Sequence, residues 1–370
     1  MKYYIIAGEA SGDLHGSNLI KEIKKLDQQA NVRAWGGDKM QEAGATIVKH
    51  YRELAFMGFI EVVRNLSTIL DNLKFCKKDI LEFAPDVLVL VDYPGFNLRI
   101  AKWAKEQGLK IIYYISPQVW AWKEGRVKTI KQVVDKMLVI LPFEEEFYRK
   151  WDYKVAYVGH PLVQVVNEFL EKHPKKDSGG KKIIALLPGS RQQEVAKKLP
   201  IMLQASNNFP GYQFVVARAS SLDDHFYDQF LKPYPQVSSV KDETYQLLSQ
   251  SRAALVTSGT ATLETALFEV PEVVCYKGSP VSYQIAKRLV DIKYISLVNL
   301  IMDKPVVKEL IQNDLTVDKL TEELKAILDN EEKNKQMKRD YQELKSLLQK
   351  EGNASARAAQ EIVGFLQSNV

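Results

Sequence analysis

The chain has 370 residues, enough for two domains, and its 46% hydrophobic and 26% charged residues are typical of a globular protein with a full core. Its two cysteines, Cys76 and Cys275, lie in apolar patterns, which indicates buried thiols in a reducing cytoplasm and not a disulfide. A net charge of only +5 without a binding motif disfavours nucleic acid as a partner. No apolar run approaches the ~18–20 residues that cross a bilayer, and we expect no signal peptide because a strand pattern begins at Tyr3.

Short apolar runs alternate with helical patterns along the first half of the chain. A polar segment, residues 173–182, predicts a linker after the turn Gly159-His160-Pro161. Strands separated by helices imply βαβ units with right-handed crossovers and a parallel sheet. The predicted strands cover residues 3–7, 32–35, 87–91, 111–115, 136–140 and 154–157, with helices at 14–26, 60–83 and 98–107.

The same rhythm restarts after the linker. The predicted strands there cover residues 183–187, 213–217, 253–256 and 273–276, and helical patterns cover 317–348 and 354–366. The sequence therefore predicts an α/β fold with two domains, at residues 1–172 and 173–345. Residues 346–370 predict a C-terminal helix, for which the first domain is one place to pack.

Two strand-to-helix junctions, one in each half, carry glycine and hydroxyl residues. They are Gly8-Glu9-Ala10-Ser11-Gly12-Asp13-Leu14-His15-Gly16 and Ser258-Gly259-Thr260-Ala261-Thr262-Leu263-Glu264. Backbone N–H groups at a helix start favour an anion, and glycine lets a ligand approach the backbone. Neither junction has the dinucleotide fingerprint or the P-loop spacing. The pair predicts two nucleotide-binding-type domains that face a shared cleft.

Asp92 is the sharpest candidate for chemistry in the first half. It directly follows the predicted strand 87–91, and ligands of open α/β sheets sit at the carboxyl ends of the strands. Pro94 and Gly95 predict a turn there, and a helix cap is the structural alternative for Asp92. In the first junction Ser11 or Asp13 could cap the helix, whereas Glu9 precedes it and is harder to explain by capping.

Arg191 and Glu264 are the candidates in the second half. Arg191 ends Leu187-Pro188-Gly189-Ser190-Arg191 and offers a planar fork for phosphate, although Glu194 could pair with it structurally. Glu264 could accept hydrogen bonds from ribose hydroxyls or be an ordinary helix acid. The five histidines are scattered and no metal motif occurs, so we predict no metal site.

Residues 99–131 carry eight Lys or Arg against two acids, together with Trp103, Trp120 and Trp122. Basic residues interleaved with tryptophan are typical of a surface that binds an anionic membrane. From composition alone, a solvated helix face with core tryptophans is the simpler interpretation.

Eight motifs, in chain order between residue 3 and about residue 312, resemble those of the bacterial lipid-A-disaccharide synthases. They are Gly8-Glu9-Ala10-Ser11-Gly12-Asp13, Asp92-Tyr93-Pro94-Gly95-Phe96-Asn97, Ser116-Pro117-Gln118-Val119-Trp120-Ala121-Trp122, Leu141-Pro142-Phe143-Glu144, Gly159-His160-Pro161, Leu187-Pro188-Gly189-Ser190-Arg191, Ser258-Gly259-Thr260-Ala261-Thr262-Leu263-Glu264 and Ala286-Lys287-Arg288-Leu289-Val290.

The resemblance implies a GT-B fold, in which two Rossmann-like domains with parallel sheets face a central cleft. It also implies an inverting glycosyltransferase of lipid A (lipopolysaccharide) biosynthesis that needs no cofactor. Such an enzyme joins UDP-2,3-diacylglucosamine to 2,3-diacylglucosamine 1-phosphate through a β-1′,6 linkage and releases UDP. By this resemblance Asp92 is the catalytic base, Glu9, Ser11 and Asn299 bind substrate, and Ser190, Arg191, Ser258, Gly259, Thr260 and Glu264 bind UDP.

Acylated substrates imply that the enzyme associates peripherally with the cytoplasmic face of the inner membrane. Residues 99–131 and 54–60 then become the predicted docking surface. A homodimer stays open, and His15 receives no role. Two alternatives also stay open: a UDP-sugar 2-epimerase, whose UDP release would not depend on an acceptor lipid, and a non-catalytic sugar-nucleotide-binding protein, which needs no base at Asp92.

Overall fold

The computed structural model describes residues 1–54, 66–121, 124–174, 182–279, 283, 293–349 and 352–368. Trp122, Lys123, the motif at 286–290 and the predicted docking segment after Leu54 lie outside these residues. The chain forms two compact units, one from Met1–Pro161 with Leu348–Val370 and one from Leu162–Leu347. The predicted domains ended at residues 172 and 345. In the structure the first boundary lies earlier, at Pro161, so the helix Pro161–Lys172 belongs almost wholly to the second unit.

The first unit is built on a seven-stranded parallel sheet in the order β3-β2-β1-β4-β5-β6-β7. Its strands are β1 (Lys2–Ala7), β2 (Asn31–Gly36), β3 (Thr46–His50), β4 (Val87–Val91), β5 (Ile111–Tyr114), β6 (Lys136–Val139) and β7 (Ala156–Tyr157). Its helices are α1 (Ala10–Leu26), α2 (Asp38–Glu42), α3 (Leu66–Phe83), α4 (Pro94–Glu106), α5 (Arg126–Val133) and α6 (Glu144–Arg149), with a 3-10 turn at Tyr51–Glu53.

The second unit repeats this plan with a six-stranded parallel sheet in the order β10-β9-β8-β11-β12-β13. Its strands are β8 (Ile183–Leu187), β9 (Gln213–Arg218), β10 (Ser238–Lys241), β11 (Ser251–Thr257), β12 (Glu272–Tyr276) and β13 (Lys308–Ile311). The helices that follow α6 in the chain are α7 (Pro161–Lys172), α8 (Gln192–Ser206), α9 (Asp224–Leu231), α10 (Thr244–Gln250), α11 (Thr260–Leu267), α12 (Leu297–Met302), α13 (Val317–Asp329), α14 (Glu331–Gln349) and α15 (Ala354–Gln367).

Helices cover both faces of the first sheet, which explains why its inner strands read as continuous apolar runs. All five residues of β4 are buried. Successive strand residues point to opposite faces, so Tyr113 packs in one core with α3, α4 and α5, and Tyr114 in the other with α1. The sheet is therefore a rigid platform whose strand ends are fixed on both sides.

The last helix, α15, completes the first unit even though the second unit precedes it in the chain. Its apolar residues Ala358, Ala359 and Ile362 are fully buried in the same core as Leu19 and Ile20 of α1. Small side chains let the two helices approach closely. The first unit thus consists of two segments that are distant in sequence.

In both sheets the strand order reverses at one point, where loops from neighbouring strands diverge to opposite faces. These switch points lie between β1 and β4 in the first unit and between β8 and β11 in the second. Ligands of open α/β sheets bind at this point, outside the carboxyl ends of the strands. The topology therefore marks the loops after these four strands as the candidate site in each unit.

Glu272 is an exception to the apolar core of the second unit. It begins β12, is fully buried, and neither of its carboxylate oxygens has a hydrogen-bond partner among the described residues. Burial raises the pKa of this carboxyl well above its ordinary range. An unsatisfied buried acid lowers stability unless it serves another purpose.

Candidate active site

Asp92 and Tyr93 turn the chain sharply at the end of β4. Both have left-handed backbones, with φ of +46° and +51°, a conformation that is unfavourable for residues with a Cβ. Tyr93 is the N-cap residue of α4, and Pro94 is already the first helical residue. The predicted turn at Pro94 and Gly95 is therefore wrong by two residues, because Pro at a helix start is favourable and does not break the chain.

The Asp92 carboxyl is tuned toward neutral pH. Burial, followed by the negative charge of Glu9, raises its pKa to about 6, and a hydrogen bond from the Tyr93 backbone N–H opposes the shift. Glu9 follows β1, on the other side of the switch point, and its side chain makes no capping bond to α1. A carboxylate with a pKa close to the working pH is suited to general-base catalysis.

The glycines of the first junction serve packing within the protein. A Cβ at Gly8 would lie 2.3 Å from Cδ1 of Tyr93, and one at Gly16 would lie 2.8 Å from the sulfur of Met40. Helix α1 begins at Ala10, so Gly12 and Gly16 are helical. The absence of a Cβ at Gly8 and Gly16 thus makes room for protein side chains, and the prediction that the glycines of this junction admit a ligand stays a prediction.

Asp13 also has a structural role that differs from the predicted one. Its buried carboxylate accepts hydrogen bonds from the backbone N–H groups of Gly37 (2.7 Å), Lys39 (3.2 Å) and Met40 (3.1 Å). It therefore caps the start of α2 and not its own helix. Ser11, in the first turn of α1, is exposed and stays available for a ligand.

A buried carboxylate joins the two motifs that follow β5 and β6. Glu144 accepts hydrogen bonds from the Ser116 hydroxyl and from the backbone N–H groups of Ile140 (3.2 Å) and Leu141 (2.9 Å). Burial nevertheless raises the pKa of Glu144 to about 7. The sequence analysis gave Glu144 no role and therefore missed this link.

The loop after β8 in the second unit presents an arginine at a helix start. Arg191 is the N-cap residue of α8, its side chain is 64% exposed, and its Nη1 lies 3.8 Å from Oε1 of Glu194. An ion pair this open leaves the guanidinium free to turn toward an anion. Gly189 has a φ of +121°, a backbone conformation that favours glycine. The neighbouring Ser190 is exposed.

The loop after β11 leaves open space at the start of α11. Gly259 is the N-cap residue with a φ of +149°, and a Cβ placed there would meet no atom within 4 Å. Thr260 is exposed, and the Ser258 hydroxyl donates to the carbonyl of Ile295 at 2.8 Å. The structure thus places the two predicted UDP-binding loops side by side at the switch point between β8 and β11.

Glu264 is not an ordinary surface acid. It is partly buried, and its Oε1 accepts a 2.8 Å hydrogen bond from the Tyr245 hydroxyl. Burial raises the pKa of Glu264, and the bond from Tyr245 opposes this shift. The bond orients the carboxylate, as expected of a side chain that must meet a ligand in one direction.

Asn299 is committed to the fold. It is 1% exposed, its amide donates to the Val307 carbonyl (2.9 Å) and to Glu309 (3.0 Å), and its oxygen accepts from the Val307 N–H (2.9 Å). These bonds use both amide protons and one of the two acceptor sites of the amide oxygen. Asn299 thus clamps α12 to the chain that enters β13, a structural role that the predicted substrate contact did not include. Among the described residues, no group of three or more His, Cys, Asp or Glu could hold a metal ion.

The sequence profile of the lipid-A-disaccharide synthetase family matches residues 3–363 of the chain. The chain belongs to this family. The lipid-A-disaccharide synthase of Trichlorobacter lovleyi is 40% identical over 339 residues, which cover 89% of this chain and 88% of that protein. The enzyme of the same name from Syntrophus aciditrophicus is 40% identical over 365 residues, 96% of this chain and 95% of its own length.

Solved structures with the same fold are much more distant in sequence. A UDP-GlcNAc 2-epimerase from Neisseria meningitidis, bound to UDP-GlcNAc, superposes with a TM-score of 0.68 at 13% identity and full coverage of both chains. The glycosyltransferase of kitacinnamycin gives a TM-score of 0.67 at 14% identity, covering 99% of this chain and 98% of its own. They confirm the predicted GT-B type of fold, with two parallel α/β units and helices at the C-terminal end.

Of the helices in the described part of the chain, none has the length and apolar character to span a bilayer.

Proposed function

We propose that the chain transfers the sugar of UDP-2,3-diacylglucosamine to the 6-hydroxyl of 2,3-diacylglucosamine 1-phosphate, with inversion, and releases UDP. The observation that carries this proposal is a single carboxylate, Asp92, held at a switch point with a pKa of about 6. An inverting transfer is one displacement and needs one base, which takes the proton of the attacking hydroxyl as the bond to the anomeric carbon forms. Burial and the negative charge of Glu9 keep the pKa of that base high, and Ser11 binds the acceptor sugar.

The departing UDP gains negative charge, which the second unit stabilises. Arg191 contacts the diphosphate together with the Ser190 loop and the open N-terminus of α11 at Ser258, Gly259 and Thr260. Glu264, oriented by Tyr245, accepts hydrogen bonds from the ribose. Asn299 acts indirectly, because it holds α12. Two residues before this helix, the carbonyl of Ile295 accepts the hydrogen bond from the Ser258 hydroxyl.

The decisive assay incubates the purified protein with both lipid substrates in detergent and EDTA, and scores disaccharide and UDP. We expect both products, in equal amounts, and none without acceptor. UDP release that proceeds without acceptor, or formation of a 2-epimer from a UDP-sugar, would contradict the transferase assignment.

Arg191→Ala should weaken UDP binding by about 10- to 100-fold, because a charge-assisted contact to the diphosphate is lost. Calorimetric titration with UDP measures this. Arg252→Ala is the matched control: Arg252 is an exposed arginine of the same unit, at the opposite end of β11. If the Arg191 variant melts earlier yet binds UDP normally, Arg191 is only the partner of Glu194.

We further propose that the outer face of α3, α4 and α5 docks on an anionic membrane. The three helices are adjacent and pack on one face of the sheet. Leu70 (50% exposed) and Phe75 (46% exposed) project from α3. Trp103 packs on the core instead and lies under Lys77, and Trp120 packs against Phe143. Trp103 and Trp120 thus pack within the protein, and the apolar side chains proposed to enter the membrane are those of α3.

Charge reversal of Lys102 and Lys128 should weaken cosedimentation with phosphatidylglycerol vesicles at low salt. Each basic residue near such a surface contributes about 1 kcal/mol, so the loss of the two positive charges alone predicts a weakening of roughly 30-fold, and the two new negative charges add to it. Reversal of Lys232 and Lys338, exposed lysines of the second unit, makes the same change in net charge and serves as the control. Equal effects of the two pairs would show that net charge alone matters and would contradict this docking face.

A further inference from the structure

The carbonyl oxygen of Asp92 is the acceptor for two buried side chains. The Asn97 amide donates to it at 2.7 Å and the Tyr113 hydroxyl at 2.6 Å. Both donors are fully buried, Tyr113 on the neighbouring strand β5 and Asn97 in the first turn of α4. A buried carbonyl oxygen needs only one hydrogen bond to be satisfied, and this one accepts two from buried side chains.

These bonds, with one from the backbone, fix the peptide groups on both sides of the Asp92 Cα. The Asp92 N–H donates to the Tyr114 carbonyl at 3.1 Å, which continues the ladder of the sheet. The carbonyl of Asp92 cannot follow that ladder, because its left-handed φ turns the chain away. The two side-chain donors therefore hold the Asp92 backbone in a conformation that the sheet hydrogen bonds do not fix. This backbone conformation sets the direction of the Asp92 side chain.

We propose that Tyr113 and Asn97 are positioning residues for the base: by holding the carbonyl of Asp92 they aim its carboxylate at the acceptor hydroxyl. This inference rests on the proposed function and adds to it the device that sets the base. Burial raises the pKa of Tyr113 well above its usual range, so its hydroxyl stays a donor at any working pH.

Tyr113→Phe is the sharpest test, since it removes one hydroxyl and keeps the ring in its core. We expect kcat to fall by about 10- to 100-fold with unchanged UDP affinity, because a misplacement of 1 Å can cost about 10² in rate. Tyr153→Phe is the matched control. Tyr153 lies in the same core and also donates to a backbone carbonyl, that of Val134 at 3.1 Å, away from the switch point.

A double-mutant cycle separates positioning from mere stability. If Tyr113 acts through Asp92, Tyr113→Phe should not slow the Asp92→Asn variant any further. The acid limb of the kcat/KM profile should also move in Tyr113→Phe, since the carboxylate leaves its buried setting, whereas it should stay in place in Tyr153→Phe.

The possible failures are distinguishable. Wild-type kcat in Tyr113→Phe, or equal losses in Tyr113→Phe and Tyr153→Phe, would overturn the positioning role while Asp92→Asn stays inactive. Full activity of Asp92→Asn would instead overturn the proposed function. Asn97→Leu is a second variant at the same carbonyl. Because the Asn97 amide also donates to the carbonyls of Ile6 and Val91 at 3.4 Å, its kcat should fall at least as far as that of Tyr113→Phe.

Discussion

Asp92→Asn should lower turnover by about 10²–10⁴, because the variant keeps the shape of the side chain and loses its basicity. The wild-type kcat/KM should fall as the pH drops through about 6, where the Asp92 carboxylate takes up its proton. The variant should lack this acid limb. A pH series of initial rates with both lipid substrates measures both effects, and UDP affinity should stay unchanged since Arg191 and Glu264 remain.

The same substitution should raise the melting temperature. The pKa of Asp92 is higher in the folded chain than the ordinary aspartate value of 3.8, so the folded protein binds the proton more tightly. Ionised Asp92 therefore lowers the free energy of unfolding above pH 6, by at most about 3 kcal/mol. Asp92→Asn should be more stable than the wild type at pH 8, and the difference should vanish below pH 4. A variant that is inactive and also less stable at pH 8 would point to a structural aspartate.

Glu272→Met should stabilise the second unit by about 1–3 kcal/mol, or about 2–4 °C in Tm for each kcal/mol. The substitution removes a buried carboxyl without hydrogen bonds among the described residues and fills the same space with an apolar chain. Because the folded pKa of Glu272 is raised, the part of the cost that comes from its charge is absent well below pH 4.5. This part grows by up to about 1.4 kcal/mol per pH unit above pH 4.5, until the pH passes the folded pKa.

Thermal unfolding at several pH values measures the effect of Glu272→Met. Glu272→Gln separates the charge from the polar group, since it should lose the pH dependence while keeping part of the cost. Glu322→Gln, on an exposed helical acid, should change Tm little at any pH. A Glu272→Met variant that is no more stable than wild type at pH 8 would show that this carboxyl has a partner in solution.

The inner strands of both sheets could be predicted from the sequence, and three edge strands could not. Strands such as β4 and β8 are buried on both faces, so their apolar runs are unmistakable. The strands that the sequence analysis missed, β3, β10 and β13, all lie at a sheet edge. Their residues are half exposed, as in the run Ser238–Lys241, and the alternation is too short to stand out.

The candidate site shows the same division between what is local and what is distant in sequence. The positions of Asp92 and Glu9 were predictable, because a polar residue one or two positions after a buried parallel strand must lie near the carboxyl ends of the strands. Asp13, Glu144 and Tyr113 form side-chain hydrogen bonds to partners that lie 24, 28 and 21 residues away in the chain. Residue type alone does not reveal such partners. Asn299 shows the converse, since the family resemblance gave no sign that its amide is hydrogen-bonded to Val307 and Glu309.

The return of α15 to the first unit has a consequence for biosynthesis. During translation the second unit, a continuous segment, can fold as soon as it has left the ribosome, whereas the first unit lacks the partner of α1 until the final residues emerge. Leu19, Ile20 and Ile23 lack their cover from α15 in the nascent chain for that whole interval. Chains cut short before residue 354 would lack this cover permanently, so premature termination ahead of α15 should yield material for chaperones and proteases and not a shortened enzyme.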